Sequence, residues 1–469
     1  MQTHRVKLKI AGIIRHTFDG RDAVRMSRRL NKEIWGWAFY DWANSAYAVS
    51  VLAVVFQFYF IDHLATSGRN ASGELIKEVT ILGYTLPGAT LWPWTVSLSM
   101  MVAVVMCPLV GAIADYSGRK MRFLLFFCYI GAGVTMLMVF LSVGMWQLGM
   151  LLLILSTICF VGGNVVYNGL LVEVAPTKED LGFVSGFGWA LGYMASFLML
   201  LANLIVIKFE IPNPEWSVRL SLLSVGVWWA IFAVPTFLWV TERAQPKPLP
   251  PGQSLLTVGF YQIRKTAKSL RRYPEMLLFL GAFFLYNDGI QTVISTSATF
   301  TNIALGATLE AIIPAFVMIQ IVAFFGSLIF IRIEKRIGTK RALIYSLMCW
   351  ILLIGWALVM QTLEEFYVMA FLAGFVLGVS QSASRTIFAL MAPSGQAAEF
   401  FSLYAIVGKV ASLVGPLLFG LGAMYATRLE GVPVINSMAG AILPLFLMVL
   451  IGALLLMKVD VAKGEKEAI

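Results

Sequence analysis

Histidine, cysteine and charge are all scarce in this chain of 469 residues. It holds three histidines and four cysteines, and charged residues make up 13%, where an ordinary soluble domain has roughly a quarter. His4, His16 and His63 lie outside the apolar runs, and Cys107, Cys128, Cys159 and Cys349 stand singly within them. Neither a metal-ligand spacing nor a disulfide framework is present. Also missing are a Walker phosphate loop, a GxSxG elbow, an HExxH pair and a GxGxxG in a strand-to-helix setting. These absences speak against an ATP-driven pump or a membrane hydrolase; no enzyme activity, metal or cofactor is expected.

What is abundant is apolar. Hydrophobic residues make up 59% and mean hydropathy is +0.82, the composition of a chain built for lipid. Apolar runs near the ~20 residues that cross a bilayer fall at 35–61, 94–114, 123–143, 148–172, 183–208 and 219–241. A second set falls at 276–300, 309–332, 342–361, 366–391, 400–427 and 436–457. The expected fold is therefore an all-α integral membrane protein, twelve transmembrane helices arranged as two six-helix bundles. The first run is too long for a signal core, so no cleavable leader is expected.

Most of the 35 Lys and Arg fall between alternate runs in the register that keeps the N-terminus inside. Only Arg69, Lys77, Lys208, Arg219 and Arg428 fall in the opposite loops, and Arg385 and Lys409 lie within spans. Positive residues stay cytoplasmic, so both termini are expected there. The net charge of +10 then follows from topology and anionic lipid headgroups, and no nucleic-acid partner is needed.

The expected organisation is a basic amphipathic segment over 1–34, a bundle over 35–241, a linker over 242–275, a bundle over 276–457 and a tail over 458–469. The linker opens Pro-rich, "TERAQPKPLPPG", which favours an extended strap. It continues with Leu256, Phe260, Ile263, Ala267 and Leu270 at helical spacing against Arg264, Lys265, Lys268, Arg271 and Arg272. That spacing predicts an amphipathic helix on the inner membrane surface; a solvated basic linker is the alternative. The halves look related: Ala175-Pro176 matches Ala392-Pro393, Phe183 matches Phe400 and Ser185 matches Ser402, all at one offset. Parallel halves around a central cytoplasmic loop are the plan of a rocking secondary transporter.

The loop after the second span reads "GAIADYSGRKMR". Gly111, Asp115, Gly118, Arg119 and Lys120 fit the GxxxDxxGRK signature of the major facilitator superfamily. Gly111 lets helices approach, Asp115 can face the positive N-terminus of a partner helix, Gly118 permits a tight turn, and Arg119 and Lys120 hold the loop inside. The second-half counterpart "RIEKRIGTKR" keeps only Gly338 and the positive charge, so one half is expected to carry the latch. Three further stretches, "YDWANSAYA" at 40–48, "FLYNDGIQTVI" at 284–294 and the run from Ser380 to Gly420, resemble the autophagy-related vacuolar amino-acid effluxers and their bacterial relatives. The resemblance touches both halves and implies a transporter of that superfamily, with a cavity lined by spans one, four, seven and ten.

Polar residues on those four spans are the candidate site. Asp41 sits six residues after Trp35, about 9 Å along a helix, with Asn44, Ser45 and Ala48 on the same stripe. Asp288, Gln291, Thr292 and Ser295 repeat the spacing on span seven. Span four offers Asn164, Tyr167 and Asn168, with Glu173 near its cytoplasmic end; span ten offers Gln381, Ser384 and Arg385; span eleven adds Lys409. A charge near the bilayer centre costs ~2.5–3.5 kcal/mol, so such residues face a cavity or a partner. Arg385 either bridges to Asp41 or Glu173 as a gate, or it binds a substrate carboxylate, alone or with Lys409. A coupling proton would ride on Asp41, Glu173 or Asp288, the last about 18 Å deep; Asp288 can instead be a helix-packing residue beside Gly289.

The expected function is alternating-access transport of amino acids or similar small zwitterions, with protons as the candidate coupling ion. Carboxylate-rich organic anions such as an organic acid or siderophore are the second possibility, and a non-transporting receptor or lipid-handling scaffold the third. The expected partners are the solute and membrane lipids, the expected state is a monomer, and the expected setting is a bacterial inner membrane.

Overall fold

The computed structural model describes residues 31–81, 83–177, 180–243, 245–246, 248–249, 252–254, 257–393, 397–426 and 438–468. The basic segment expected over 1–34 lies almost wholly outside them. The chain is mostly helical. Among the described residues ten helices are long and apolar enough to cross a membrane.

The first begins where Asn31 caps it, the side chain accepting from Ile34 N–H at 2.8 Å, which satisfies an otherwise orphan amide. Helix α1 runs Lys32–Tyr47 and then widens into a π-helical turn over Ala48–Ala53. The path kinks at Val54 (φ −132°, ψ −79°) before α2 (Val55–Tyr59) and a second wide turn over Phe60–Leu64. Wide turns of this kind gather at functional sites.

Two short hairpins follow, which the all-helical expectation did not include. Strand β1 (Gly68–Arg69) pairs with β2 (Leu75–Ile76), and β3 (Glu78–Ile81) pairs with β4 (Tyr84–Pro87), both antiparallel. The period-two alternation there is too short to read against the flanking helical runs. Then come α3 (Gly88–Ser117), α4 (Lys120–Leu137), α5 (Trp146–Val174), α6 (Leu181–Lys208), α7 (Pro214–Phe232) and α8 (Val234–Trp239). After the linker helix α9 (Val258–Ser269) the chain forms α10 (Pro274–Leu305), α11 (Leu309–Ile337), α12 (Thr339–Ala357), α13 (Leu363–Met391), α14 (Ala397–Ala426), α15 (Ala439–Lys458) and a short α16 (Val461–Glu467). The spans expected at 94–114 and 400–427 fall in α3 and α14. Each of these helices has 30 residues, but among the described residues they hold only the shorter apolar runs Trp94–Ala103 and Ile406–Phe419.

Local signals explain several boundaries. Asn213 caps α7, accepting from Trp216 N–H, with Pro214 at its first position, where the missing N–H costs nothing. Thr362 and Glu365 form a reciprocal capping box at the start of α13.

The helices pack in two groups. In the first, α1 lies on α6, α7 and α8, and α5 lies between α3 and α4; in the second, α10 lies on α14 and α15, and α13 lies on α11 and α12. Phe126, Phe140, Leu238, Leu352 and Leu447 face outward, as lipid-facing side chains do. Because lipid is as apolar as leucine, close backbone approach carries the packing. A Cβ at Gly326 of α11 would lie 2.4 Å from the Phe375 carbonyl oxygen of α13, so this crossing requires glycine. The two groups meet where α6 lies on α11 and α13, and where α14 lies on α3 and α5.

Candidate functional site

Between the two groups lies a cavity of about 520 Å³. Its wall brings together Asp41, Asn44, Asn164, Asn168, Gln291, Gln381, Arg385 and Lys409, residues from α1, α5, α10, α13 and α14. Ser45, Ala48, Thr292 and Ser295 of the two expected stripes line it as well. Tyr167 and Asp288, by contrast, do not reach the wall.

Asp41 is 8% exposed. Its Oδ2 accepts from the Tyr167 hydroxyl at 2.7 Å. Tyr167 is buried behind the wall, stacked on Trp37 at 4.4 Å between ring centroids, and its carbonyl accepts from Trp37 Nε1 at 3.1 Å. Tyr167 therefore holds Asp41 from behind the wall. Three residues along α1, Asn44 Nδ2 donates to Asn164 Oδ1 at 3.0 Å. The second group repeats this plan, with Tyr286 of α10 hydrogen-bonded to Ser384 of α13 at 2.8 Å. Tyr167 and Ser384 are related by the sequence offset that pairs Asn168 with Arg385.

Arg385 is 7% exposed and lies 5.2 Å from the Trp189 ring centroid, within cation–π range. Among the described residues its Nη1 has no hydrogen-bond partner, although its charge acts on Asp41, Tyr193 and Tyr404. The bridge to Asp41 or Glu173 that the sequence suggested is therefore not made in this conformation. Asp41 is held by Tyr167, and Glu173 Oε1 is taken by Lys120 Nζ at 2.7 Å. Buried polar atoms are nearly always paired, and this one lies in the cavity wall.

Trp189 and Tyr193 were missing from the sequence reading. They lie one turn apart on α6, stacked with centroids 5.6 Å apart, and both line the cavity. The four-residue aromatic spacing was visible, but span five was not among the cavity spans that the resemblance implied. Asn287, beside Asp288 on α10, also lines the wall. Beyond these polar residues the cavity extends into the second group, where Phe316, Trp350, Leu353, Phe366 and Met369 form an apolar chamber.

Asp288 is fully buried behind the wall, against α14. Its Oδ1 accepts from Gly415 N–H at 3.0 Å and from Thr292 Oγ1 at 3.4 Å, and among the described residues Oδ2 has no hydrogen-bond partner. Pro416 follows Gly415 inside α14, and a proline removes one backbone hydrogen bond and loosens the turn before it.

At the end of the bundle that holds the GxxxDxxGRK loop, a polar network ties the start of α1, α4, the end of α5 and the linker together. Gly111 lies in α3, and Gly118 adopts φ +60° with the linker on top of it. A Cβ there would sit 2.6 Å from Pro246 N. Arg119 is exposed, whereas Lys120 is buried and ties α4 to Glu173 at the end of α5. From the linker, Arg243 donates to Glu33 Oε2 and to the Glu173 carbonyl, both at 2.7 Å. The Asp115 side chain lies outside the described residues. On the other side Glu334, near the end of α11, faces the start of α6: a Cβ at Gly182 would lie 3.0 Å from its Oε2. The second half thus also places an acidic residue beside the start of a helix of the other group. The spacing hid it, because Glu334 precedes Gly338 by four positions where Asp115 precedes Gly118 by three.

A paired set of helices around a polar-lined cavity is the architecture of the major facilitator class. A solved structure of the proton:xylose symporter XylE aligns with a TM-score of 0.63 at 12% identity, covering 91% of this chain and 94% of that one; the likeness shows the fold. Within that class the chain belongs to the family described as "Vacuole effluxer Atg22 like", which matches residues 29–469. A Bacillus subtilis (strain 168) relative, the uncharacterized MFS-type transporter YxiO, is 32% identical over 403 residues, spanning 85% of this chain and 90% of its own. Autophagy-related protein 22 of Pyricularia oryzae is 26% identical, spanning 83% of this chain and 71% of its own. The chain is thus a membrane transporter of major facilitator type.

Proposed function

We propose that this transporter carries amino acids with apolar side chains by alternating access. One observation carries the reading: Asp41 and Arg385, opposite in charge, share one cavity wall that continues into the apolar chamber of Trp350, Leu353, Phe366 and Met369. In this reading the Arg385 guanidinium takes the substrate carboxylate, since its planar fork suits bidentate pairing. Asp41, which shares the wall with Asn168 and Gln381, takes the ammonium, and the side chain enters the chamber. Apolar burial there is worth about 25 cal/mol per Å².

Twelve spans in two bundles, with both termini in the cytoplasm, accommodate the basic-residue pattern. A bacterial inner membrane is the proposed setting, and a single chain holds the whole cavity, so a monomer suffices. Protons are the proposed coupling ion, with Asp288 as carrier. A second reading is favoured by one specific feature: Lys409 and Arg385 both line the cavity, and two cations would suit a carboxylate-rich anion. Counterflow in proteoliposomes decides between them. Unlabelled leucine or phenylalanine is expected to drive accumulation of the labelled amino acid, with polycarboxylates ineffective; the opposite pattern transfers the assignment to organic anions, and no counterflow by either class rejects both.

A further inference from the structure

Linker helix α9 packs on α3 of the first group and on α14 of the second. It thus lies across a seam where the two groups meet, immediately before Pro274 begins α10. Val258 and Gly259 are buried on its inner side, and Leu270 closes its far end. The outer side carries Phe260, Arg264 and Lys268 at four-residue steps with Tyr261 beside them, which puts all four on one face of a helix. Phe260 is 53% and Tyr261 41% exposed, and Arg264, Lys268, Arg271 and Arg272 are exposed too.

Two exposed aromatic rings and two cations thus share the outer face of α9, and Arg271 and Arg272 follow, exposed, in the turn after it. From Arg243 to Pro274 the linker holds no Asp or Glu, so nothing within it offsets that charge. The position at the end of the spans, the aromatic rings and the uniform sign match one occupant. Tyr and Trp settle at headgroup level, and basic residues near an anionic leaflet gain roughly 1 kcal/mol each.

We propose that the outer face of α9 docks on anionic phospholipid headgroups, and that this docking holds α9 as a bar across the α3–α14 seam. Anionic lipid then stabilises the state in which the end of the bundle carrying Gly118 is closed. Opening that seam requires α9 to leave one of its two supports, so whatever binds its outer face in the closed arrangement biases the equilibrium, by linkage. The inference is independent of which solute is carried.

Hydrogen exchange on the intact protein tests it. The chain is reconstituted in nanodiscs of phosphatidylcholine alone, or of phosphatidylcholine with one-third phosphatidylglycerol, and amide exchange is followed for peptides covering α9 and the facing ends of α3 and α14. The expected result is exchange slowed about fivefold or more by phosphatidylglycerol in all three peptides, the factor that ~1 kcal/mol corresponds to. The joint variant Arg264→Gln, Lys268→Gln, Arg271→Gln, Arg272→Gln is expected to lose this lipid dependence while keeping the exchange pattern of α6 and α13. Phe260→Ser with Tyr261→Ser, which leaves the charge intact, is expected to weaken it partly. Soluble inorganic phosphate in the phosphatidylcholine discs is expected to give no protection. Equal exchange in the two lipids overturns the proposal, as does protection that survives in the four-glutamine variant. Protection by phosphate alone, or only on addition of an acidic soluble protein, assigns the face to another occupant and overturns it equally.

Discussion

Glu334 reaches from the end of α11 to the start of α6, its Oε2 set 3.0 Å from where a Cβ would stand on Gly182. The first turn of a helix has unpaired amide groups and a partial positive charge, so a carboxylate placed there favours contact between the two groups. Glu334→Gln keeps the shape and removes the charge. It is expected to favour the open state at this end by about 0.3–1 kcal/mol, the worth of an exposed charge at a helix terminus. Asp115→Asn, on the equivalent loop of the first half, is expected to act in the same direction, and the double variant more strongly than either alone. Faster alkylation of a cysteine placed at Ser185 reads the opening; substrate affinity measured in a conformation-locked background is expected to stay unchanged. A large loss of affinity there would show that these acids belong to the binding site.

Gly182→Val is expected to be the harsher change. A side chain there meets the Glu334 carboxylate, which must swing away from the start of α6 and so loses its place between α6 and α11. Transport is expected to fall severalfold with the folded yield preserved, and the alkylation rate at Ser185 to rise. Unchanged transport would mean that α6 and α11 do not need to touch during the cycle.

Much of this was legible from composition and spacing, for identifiable reasons. A lipid-soluble helix writes itself as a long apolar run, and a charge inside one must face a cavity or a partner, so Asp41, Asn164, Asn168 and Arg385 could be assembled from sequence alone. What could not be read was which polar residues stand in front and which behind. Tyr167 and Asn168 are neighbours in sequence, yet only Asn168 reaches the wall, because an i, i+1 pair points about 100° apart on a helix. Glu173, offered beside Asp41 as a gate partner for Arg385, is held by Lys120 in this conformation, for a related reason. Lys120, the first residue of α4, reaches across to the end of α5, and a contact between two helix ends leaves no periodicity to read. The β1–β2 and β3–β4 hairpins were lost because two to four residues give no alternation to detect.

Tyr167→Phe tests the supporting role of that second layer. The variant keeps the stack on Trp37 and removes only the hydroxyl that donates to Asp41. A hydrogen bond to a charged acceptor is worth about 1.5–3 kcal/mol, part of which cavity water can recover. Substrate affinity is expected to drop about tenfold or less, with no gross loss of folding as judged by thermal unfolding. Asp41→Asn in the Tyr167→Phe background is expected to cost less than it does alone, since the two act as one unit. Strict additivity in that cycle would separate them.

Arg385 offers the sharpest distinction between binding and scaffolding. Arg385→Lys retains the charge but loses the fork, so carboxylate affinity is expected to fall about tenfold or more, while the thermal midpoint without substrate changes little. If the guanidinium matters only for packing on Trp189, Arg385→Lys and Trp189→Phe should lower the midpoint together and leave affinity alone. Thermal shift with and without substrate separates the two outcomes, because a ligand that binds the folded state raises apparent stability in proportion to its affinity.

Asp288 is the carboxylate with the strongest claim to the coupling proton. Gly415 N–H and Thr292 hold one oxygen, the other has no hydrogen-bond partner among the described residues, and Pro416 loosens α14 directly beside the pair. A change of protonation at that carboxyl would alter the hold on Gly415, and α14 is one of the helices that crosses between the two groups. Asp288→Asn keeps the acceptor for Gly415 and fixes the site in an uncharged form. If Asp288 carries the proton, the variant is expected to lose accumulation driven by a pH gradient while retaining exchange of substrate for substrate, since exchange need not release the proton in every turnover. A packing role predicts a different pattern, because asparagine has nearly the same shape and still accepts the hydrogen bond, so both activities should stay near the wild-type level. Gradient-driven uptake and exchange measured on the same reconstituted variant decide the matter, and undiminished pH-driven accumulation would remove Asp288 from the coupling step.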